Sequence, residues 1–272
     1  MTTWRWHSPG ILLADTITKL PPESASAVLV SGSHGGRYPG YLAAKAGVRG
    51  VILNDAGIGL EEAGIGCLPY LEALGIAAAT VSYLSCLIGD TADMVSRGVI
   101  SFANAAARAT GVAEGMRCSD AMARMRSASP ASADPPSVGE LRSEYETGSG
   151  GRRILLLDSA SLVRPEDGGQ IVVTASHGGL IGNDPRLALR VDAHAAVFND
   201  AGRPDGPGAA RLPVLEARGI LAVTVAANSA RIGDAASAVQ TGIISAVNGS
   251  AERHGARIGA PLLPFLKYVS GQ

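Results

Sequence analysis

The chain repeats itself. AVLVSGSHGG at Ala27–Gly36 returns as QIVVTASHGG at Gln170–Gly179, and GVILNDAG at Gly50–Gly57 returns as AAVFNDAG at Ala195–Gly202. LPYLEALGIAAATV (Leu68–Val81) matches LPVLEARGILAVTV (Leu212–Val225), SCLIGD (Ser85–Asp90) matches SARIGD (Ser229–Asp234), and GVISFAN (Gly98–Asn104) matches GIISAVN (Gly242–Asn248). The register hardly drifts: His34 to His177 is 143 positions, Asp55 to Asp200 is 145 and Asp90 to Asp234 is 144. The openings ILLADTIT from Ile11 and ILLLDSAS from Ile154 fit the same offset. Ordered blocks at one spacing are the mark of a duplicated unit, and they require a fold that can be built twice.

Each copy reads as the same string of elements. Continuous apolar runs at Ile11–Asp15, Ala27–Ser31, Gly50–Asn54 and Ala77–Ser82 suit strands covered on both faces of a parallel sheet. Helical stretches separate them. Leu60–Leu74 carries apolar residues at helical spacing and stops at Gly75. Thr91–Ala109 is Ala-rich, follows an Asp90 N-cap and stops at Gly111. The expected fold class is therefore α/β: a tandem duplication of a parallel βαβ-type lobe, with two pseudo-twofold-related lobes and the site between them. The first repeat spans 1–118 and the second 152–272. Between them, 119–151 is Ser/Pro/Gly-rich and has the composition of a linker, with a short helix near Glu140–Glu146. Pro261–Gln272 has no sequence partner in the first repeat and is expected to pack across the other lobe.

Composition narrows the function. With 23 Lys+Arg against 24 Asp+Glu, the chain lacks the basic excess of a nucleic-acid binder. No apolar run reaches bilayer length, so no membrane partner is expected. Met1–Gly10 lacks the charged-then-apolar plan of a signal peptide. Three cysteines cannot complete a disulfide framework, which points to a reducing cytoplasm. The Ala- and Gly-rich helices would suit close packing in a homo-oligomer.

In open α/β sheets ligands meet the carboxyl ends of the strands, and three motifs fall there in each copy. SHGG follows the second strand and holds His34 and His177, the side chains suited to proton transfer near neutral pH. Ser33 and Ser176 could donate to a ligand. Gly35, Gly36, Gly178 and Gly179 could leave N–H groups free as an anion or oxyanion nest. The bland alternative is a histidine that caps a strand end. NDAG supplies Asn54 and Asn199 as candidate substrate-binding amides, and Asp55 and Asp200 as carboxylates able to orient a histidine, act as base or bind a metal, or else a simple Asx turn. The S-x-x-IGD segment offers Ser85 and Ser229 as nucleophiles, while Asp90 and Asp234 sit where N-caps belong. Arg231, which aligns with Leu87, is a candidate anchor for a substrate carboxylate. Cys67, Cys86 and Cys118 all lie in the first repeat, and burial as free thiols explains them.

An apolar strand followed by SHG, over Ala27–Gly36, resembles the histidine segment of caspase-type cysteine proteases. That family needs a following strand that ends in a nucleophilic Cys; here the strand ends in NDAG in both copies, so no family assignment follows. No phosphate loop, GxGxxG dinucleotide site, HExxH, CxxC or GxSxG elbow is present.

The leading expectation is a hydrolase of a small polar carbonyl compound, of amide or imide type. It would use His34 and His177 with Asp55 and Asp200, and glycine N–H groups would hold an oxyanion. A lyase or isomerase could use the two histidines as acid and base. A non-catalytic small-molecule sensor is the third reading. No cofactor is required, although two His and two Asp could hold a divalent metal.

Overall fold

A computed structural model describes residues 3–130, 134–146 and 151–271. The chain forms two compact units. The first comprises 1–57, 62–139 and 181–183; the second comprises 58–61, 140–180 and 184–272.

The first unit is built on a six-stranded sheet whose spatial order is its chain order: β1 (Trp4–Ser8), β2 (Ile11–Ala14), β3 (Val28–His34), β4 (Gly50–Asn54), β5 (Ala77–Val81) and β6 (Ile100–Ala103). β2 to β5 are parallel and the two edge strands run antiparallel to their neighbours. Because side chains alternate along a strand, each run feeds two cores. Leu12, Leu29, Val51, Leu53 and Ala78 pack with helices α1 (Arg37–Lys45) and α2 (Cys67–Glu72). Ile11, Val28, Val30, Ile52 and Ala79 pack with α3 (Thr91–Arg97), α4 (Ala105–Ala109) and α5 (Cys118–Arg124).

The second unit repeats the plan with β7 (Arg142–Tyr145), β8 (Ile154–Leu157), β9 (Ile171–His177), β10 (Ala195–Asn199), β11 (Leu221–Val225) and β12 (Ile244–Val247), again in chain order. One face carries α6 (Arg211–Glu216). The other carries α7 (Ala235–Thr241), α8 (Gly249–Arg253) and α9 (Leu262–Ser270). The tandem α/β duplication is thus present as two similar mixed sheets. Single hydrogen bonds repeat as well. Ala78 N–H donates to Asn104 Oδ1 at 3.0 Å, and Ala222 N–H to Asn248 Oδ1 at 3.1 Å.

Some elements differ from the expected ones. The helix expected over Thr91–Ala109 is α3, β6 and α4 in succession. At Gly98 a Cβ would collide with Met94 O, and the chain turns there into an edge strand. Residues Glu140–Glu146 hold strand β7 instead of a helix: Arg142–Tyr145 pair with Ile154–Leu157. The composition-defined stretch 119–151 also contributes most of α5, whose Ala121 and Met122 are buried in the first unit. Its residues 131–133 and 147–150 lie outside the described residues. The C-terminal segment packs on its own unit: Leu262, Phe265, Leu266 and Val269 of α9 join the core beside α7. Its counterpart is α5, since Val99 bridges Arg117 as Ile243 bridges Pro261. α1 has no α-helical counterpart; only two short 3-10 turns, Ile181–Asn183 and Pro185–Leu187, occupy the corresponding stretch.

Among the described residues no helix is long and apolar enough to cross a membrane.

Candidate functional site

The predicted motifs gather at the carboxyl ends of the parallel strands. β3 runs through the SHGG histidine, so His34 pairs with Asn54 at the end of β4; in the second sheet His177 pairs with Asn199. Each sheet is irregular just before that pairing, between Val30 and His34 and between Val197 and Asn199. Adjacent strands lie about 4.8 Å apart, which sets histidine and asparagine side by side at the rim.

His34 is partly buried. Gly36 N–H donates to its Nδ1 at 3.1 Å. Burial lowers its pKa to about 4, so the ring is neutral at pH 7. With Nδ1 accepting, the neutral ring carries its proton on Nε2. His177, 6% exposed, holds the same strand position in the second unit.

The NDAG segments are closely tied. Asn54 Oδ1 accepts from Ala56 N–H at 2.9 Å, and Asn199 Oδ1 accepts from Ala201 N–H at 2.9 Å. Asp55 Oδ1 accepts from Tyr83 N–H at 2.9 Å and Gly57 N–H at 3.3 Å; Asp200 Oδ1 accepts from Ala227 N–H at 2.9 Å and Gly202 N–H at 2.8 Å. These bonds join the end of each fourth strand to the loop after the fifth. They hold Ala56 and Ala201 in the left-handed region, at φ 48° and 49°, where non-glycine residues are uncommon. Asp55 is 2% exposed, and burial raises its pKa against the opposing pull of Tyr83 N–H, the Ser101 hydroxyl and Gly57 N–H.

The serines serve as loop ties. Ser33 Oγ accepts from Ile17 N–H at 3.0 Å, and Ser176 Oγ from Ala160 N–H at 2.9 Å. Ser85 donates its hydroxyl to Ser82 O at 2.7 Å and accepts from Val99 N–H at 3.0 Å; Ser229 donates to Ala226 O at 2.8 Å and accepts from Ile243 N–H at 2.9 Å. A serine has one proton to donate, and here it goes to a carbonyl rather than to a histidine. Asp90 and Asp234 are N-caps, accepting from Asp93 and Ser237 N–H.

The glycines divide between the units. Gly35 N–H donates to Asn54 O at 2.6 Å and Gly178 N–H to Asn199 O at 2.8 Å. With the Gly36 bond to His34, the first unit's pair of glycine N–H groups is spent. A Cβ at Gly35 would stand 2.5 Å from Gly64 O, and one at Gly178 would collide with Gly208 O, so close backbone approach requires both glycines.

Arg231 does not stand free as an anchor. Its Nε and Nη2 donate to Asp234 Oδ2 at 3.0 and 2.8 Å, and its Nη1 donates to Glu61 at 3.0 Å within the second unit.

Two further rim carboxylates, Asp15 and Asp158, carry no motif but sit at matching places in the ILLAD and ILLLD openings. Asp15 Oδ1 accepts from Thr91 N–H at 3.0 Å, and Asp158 Oδ1 from Ala235 N–H at 3.0 Å, so each holds the start of a helix. Another residue outside the motifs is Arg211, which aligns with Cys67 and is 2% exposed. It donates from Nε to Gly179 O at 3.0 Å and from Nη1 to Ala188 O at 2.6 Å, and its guanidinium lies 4.9 Å from the Phe198 ring centroid. Burial lowers its pKa to about 10, and it stays charged at neutral pH.

Among the described residues, no group of three or more His, Cys, Asp and Glu side chains is placed to hold a metal ion. No family model, curated protein or solved structure matches the chain.

Proposed function

We propose that the chain is an enzyme that hydrolyses a small polar carbonyl compound of amide or imide type. The observation that carries this reading is the neutral, oriented His34 at a strand end, with Asp55 on the adjoining strand end and the same His–Asn–Asp order in the second unit.

His34 donates from Nε2 to the carbonyl oxygen of the substrate. A neutral imidazole with a lowered pKa suits the role of hydrogen-bond donor better than that of base. Asp55, its pKa raised by burial, takes the proton of the attacking water as the C–O bond forms. The same proton passes to the leaving nitrogen as the C–N bond breaks. Water is the nucleophile, because Ser85 and Ser229 direct their protons to backbone carbonyls. His177 and Asp200 form the corresponding pair of the second unit. The scheme uses no cofactor.

The test is release of carboxylate and amine or ammonia from a panel of small amides and imides. Wild type and Ser85→Ala are expected to turn over the same substrate, and Asp55→Asn to lose at least about 100-fold in kcat while staying folded. Loss in Ser85→Ala with retention in Asp55→Asn, or no turnover across the panel, would overturn the proposal.

A further inference from the structure

The second unit backs its SHGG turn with a buried positive charge. Arg211 makes no ion pair among the described residues. Its partners are the carbonyls of Gly179 and Ala188 and the face of Phe198. A guanidinium taken out of water without a carboxylate is costly, and neutral carbonyl dipoles offset only part of that cost. The first unit has Cys67 at this position and the nine-residue helix α1 after its SHGG turn, so its carbonyls are satisfied by a helix. The second unit lacks that helix and uses the arginine.

Arg211 holds both carbonyls of the turn, the first by its backbone N–H, as Cys67 N–H holds Gly35 O in the first unit, and the second by its side chain. Gly178 O accepts from Arg211 N–H at 2.9 Å, and Gly179 O accepts from Arg211 Nε at 3.0 Å. All peptide bonds among the described residues are trans, and in a trans peptide the N–H points opposite to the C=O. The Leu180 N–H therefore points away from the guanidinium, and the Gly179 N–H points away from the Arg211 backbone N–H. Among the described residues neither donates a hydrogen bond. Gly179 is buried, and a buried N–H calls for an acceptor. Polarisation of the Gly179–Leu180 peptide by the cation bonded to its carbonyl strengthens the Leu180 donor toward negative charge, beside the buried, unpartnered Gly179 N–H. The equivalent first-unit donor, Gly36 N–H, is already spent on His34.

We infer that the N–H groups of Gly179 and Leu180, backed by Arg211, form a binding site for a carboxylate group in the second unit. This rests on the reading of the strand-end rim as a ligand site, and it specifies the substrate class: an amide or imide that also carries a carboxylate. Arg211 is a positioning residue, since its guanidinium is committed to the carbonyls of Gly179 and Ala188 and to the Phe198 ring.

Amide chemical shifts test this without turnover. Sodium acetate and its neutral analogue acetamide are titrated into the isotope-labelled chain at pH 7 and fixed chloride. The account expects saturable shifts of the Gly179 and Leu180 amides with acetate and none with acetamide. Arg211→Met should weaken the acetate response about tenfold, and Arg211→Lys less than that. Should Arg211→Met fail to fold, the wild-type titration and Arg211→Lys still decide. Amides unmoved by acetate, moved equally by acetamide, or as responsive in folded Arg211→Met as in wild type would overturn the inference. Acetate binding with no turnover of any amide would leave this site standing and remove the hydrolase reading. Turnover without acetate binding would do the reverse.

Discussion

Replacing His34 with Gln should change how the stability of the first unit depends on pH. The wild-type ring titrates at about 4 in the fold, against an ordinary 6.5. A group with a lowered folded pKa contributes stability that is fully present above 6.5 and is lost as pH falls toward 4, because the unfolded chain binds the proton first. From these two values the loss is about 1 kcal/mol at pH 5.5 and about 2–3 kcal/mol at pH 4.5, relative to pH 7.5. Against a typical total of about 5–15 kcal/mol this is a measurable share. Asp55 acts in the opposite sense: its raised pKa favours the fold below the ordinary carboxylate value and is a burden above its folded pKa. That contribution cancels when His34→Gln is subtracted from wild type. Both tryptophans of the chain, Trp4 and Trp6, lie on β1 in the same unit, so urea unfolding followed by tryptophan fluorescence reports the relevant transition. The difference between wild type and His34→Gln should move against wild type by the stated amounts. A difference constant from pH 7.5 to 4.5, or a ring-proton NMR midpoint at 6.5 or above, would refute the burial argument.

Three other outcomes are expected. Gly178→Ala should lower stability by about 1–3 kcal/mol in thermal melting, because its Cβ collides with Gly208 O and presses on Thr224 Cγ2 at 3.2 Å. Asp167→Ala should cost about 3–5 kcal/mol by denaturant titration, because it strands Arg142, which donates to both Asp167 oxygens at 2.6 and 2.9 Å. The thiols of Cys67, Cys86 and Cys118 are buried and pushed up to about 12, so a thiol reagent at pH 8 should label none in the native chain and all three after unfolding.

The duplication and the central strands were legible because buried parallel strands are unbroken apolar runs. Gly50–Asn54 is a strand at its expected bounds. Edge strands were not legible. WRWHS at Trp4–Ser8 has three exposed residues, and the chain around Gly98 reads as one Ala-rich helix although a strand interrupts it. α5 and α9 escaped pairing because different residues fill the same place: Ala121 and Met122 in one core, Phe265 and Leu266 in the other.

At the rim, sequence spacing located the histidines and carboxylates but not the use of their donors. Whether a glycine N–H is free depends on strand register. The pairing of each histidine with its asparagine directs Gly35 N–H to Asn54 O and Gly178 N–H to Asn199 O, whereas Gly36 N–H is spent on His34 and its counterpart Gly179 N–H donates to no group among the described residues. Arg231 looked like an anchor because one of its two acidic partners, Glu61, lies 170 positions away, and the other, Asp234, reads from sequence as a helix N-cap.

The central claim is that the strand-end histidines carry the chemistry. Its most direct test is turnover of the best amide or imide by wild type, His34→Gln and His177→Gln, each checked for a native melting profile. The account predicts loss of kcat in His34→Gln with the fold retained at pH 7.5. Full activity in a folded His34→Gln would contradict it.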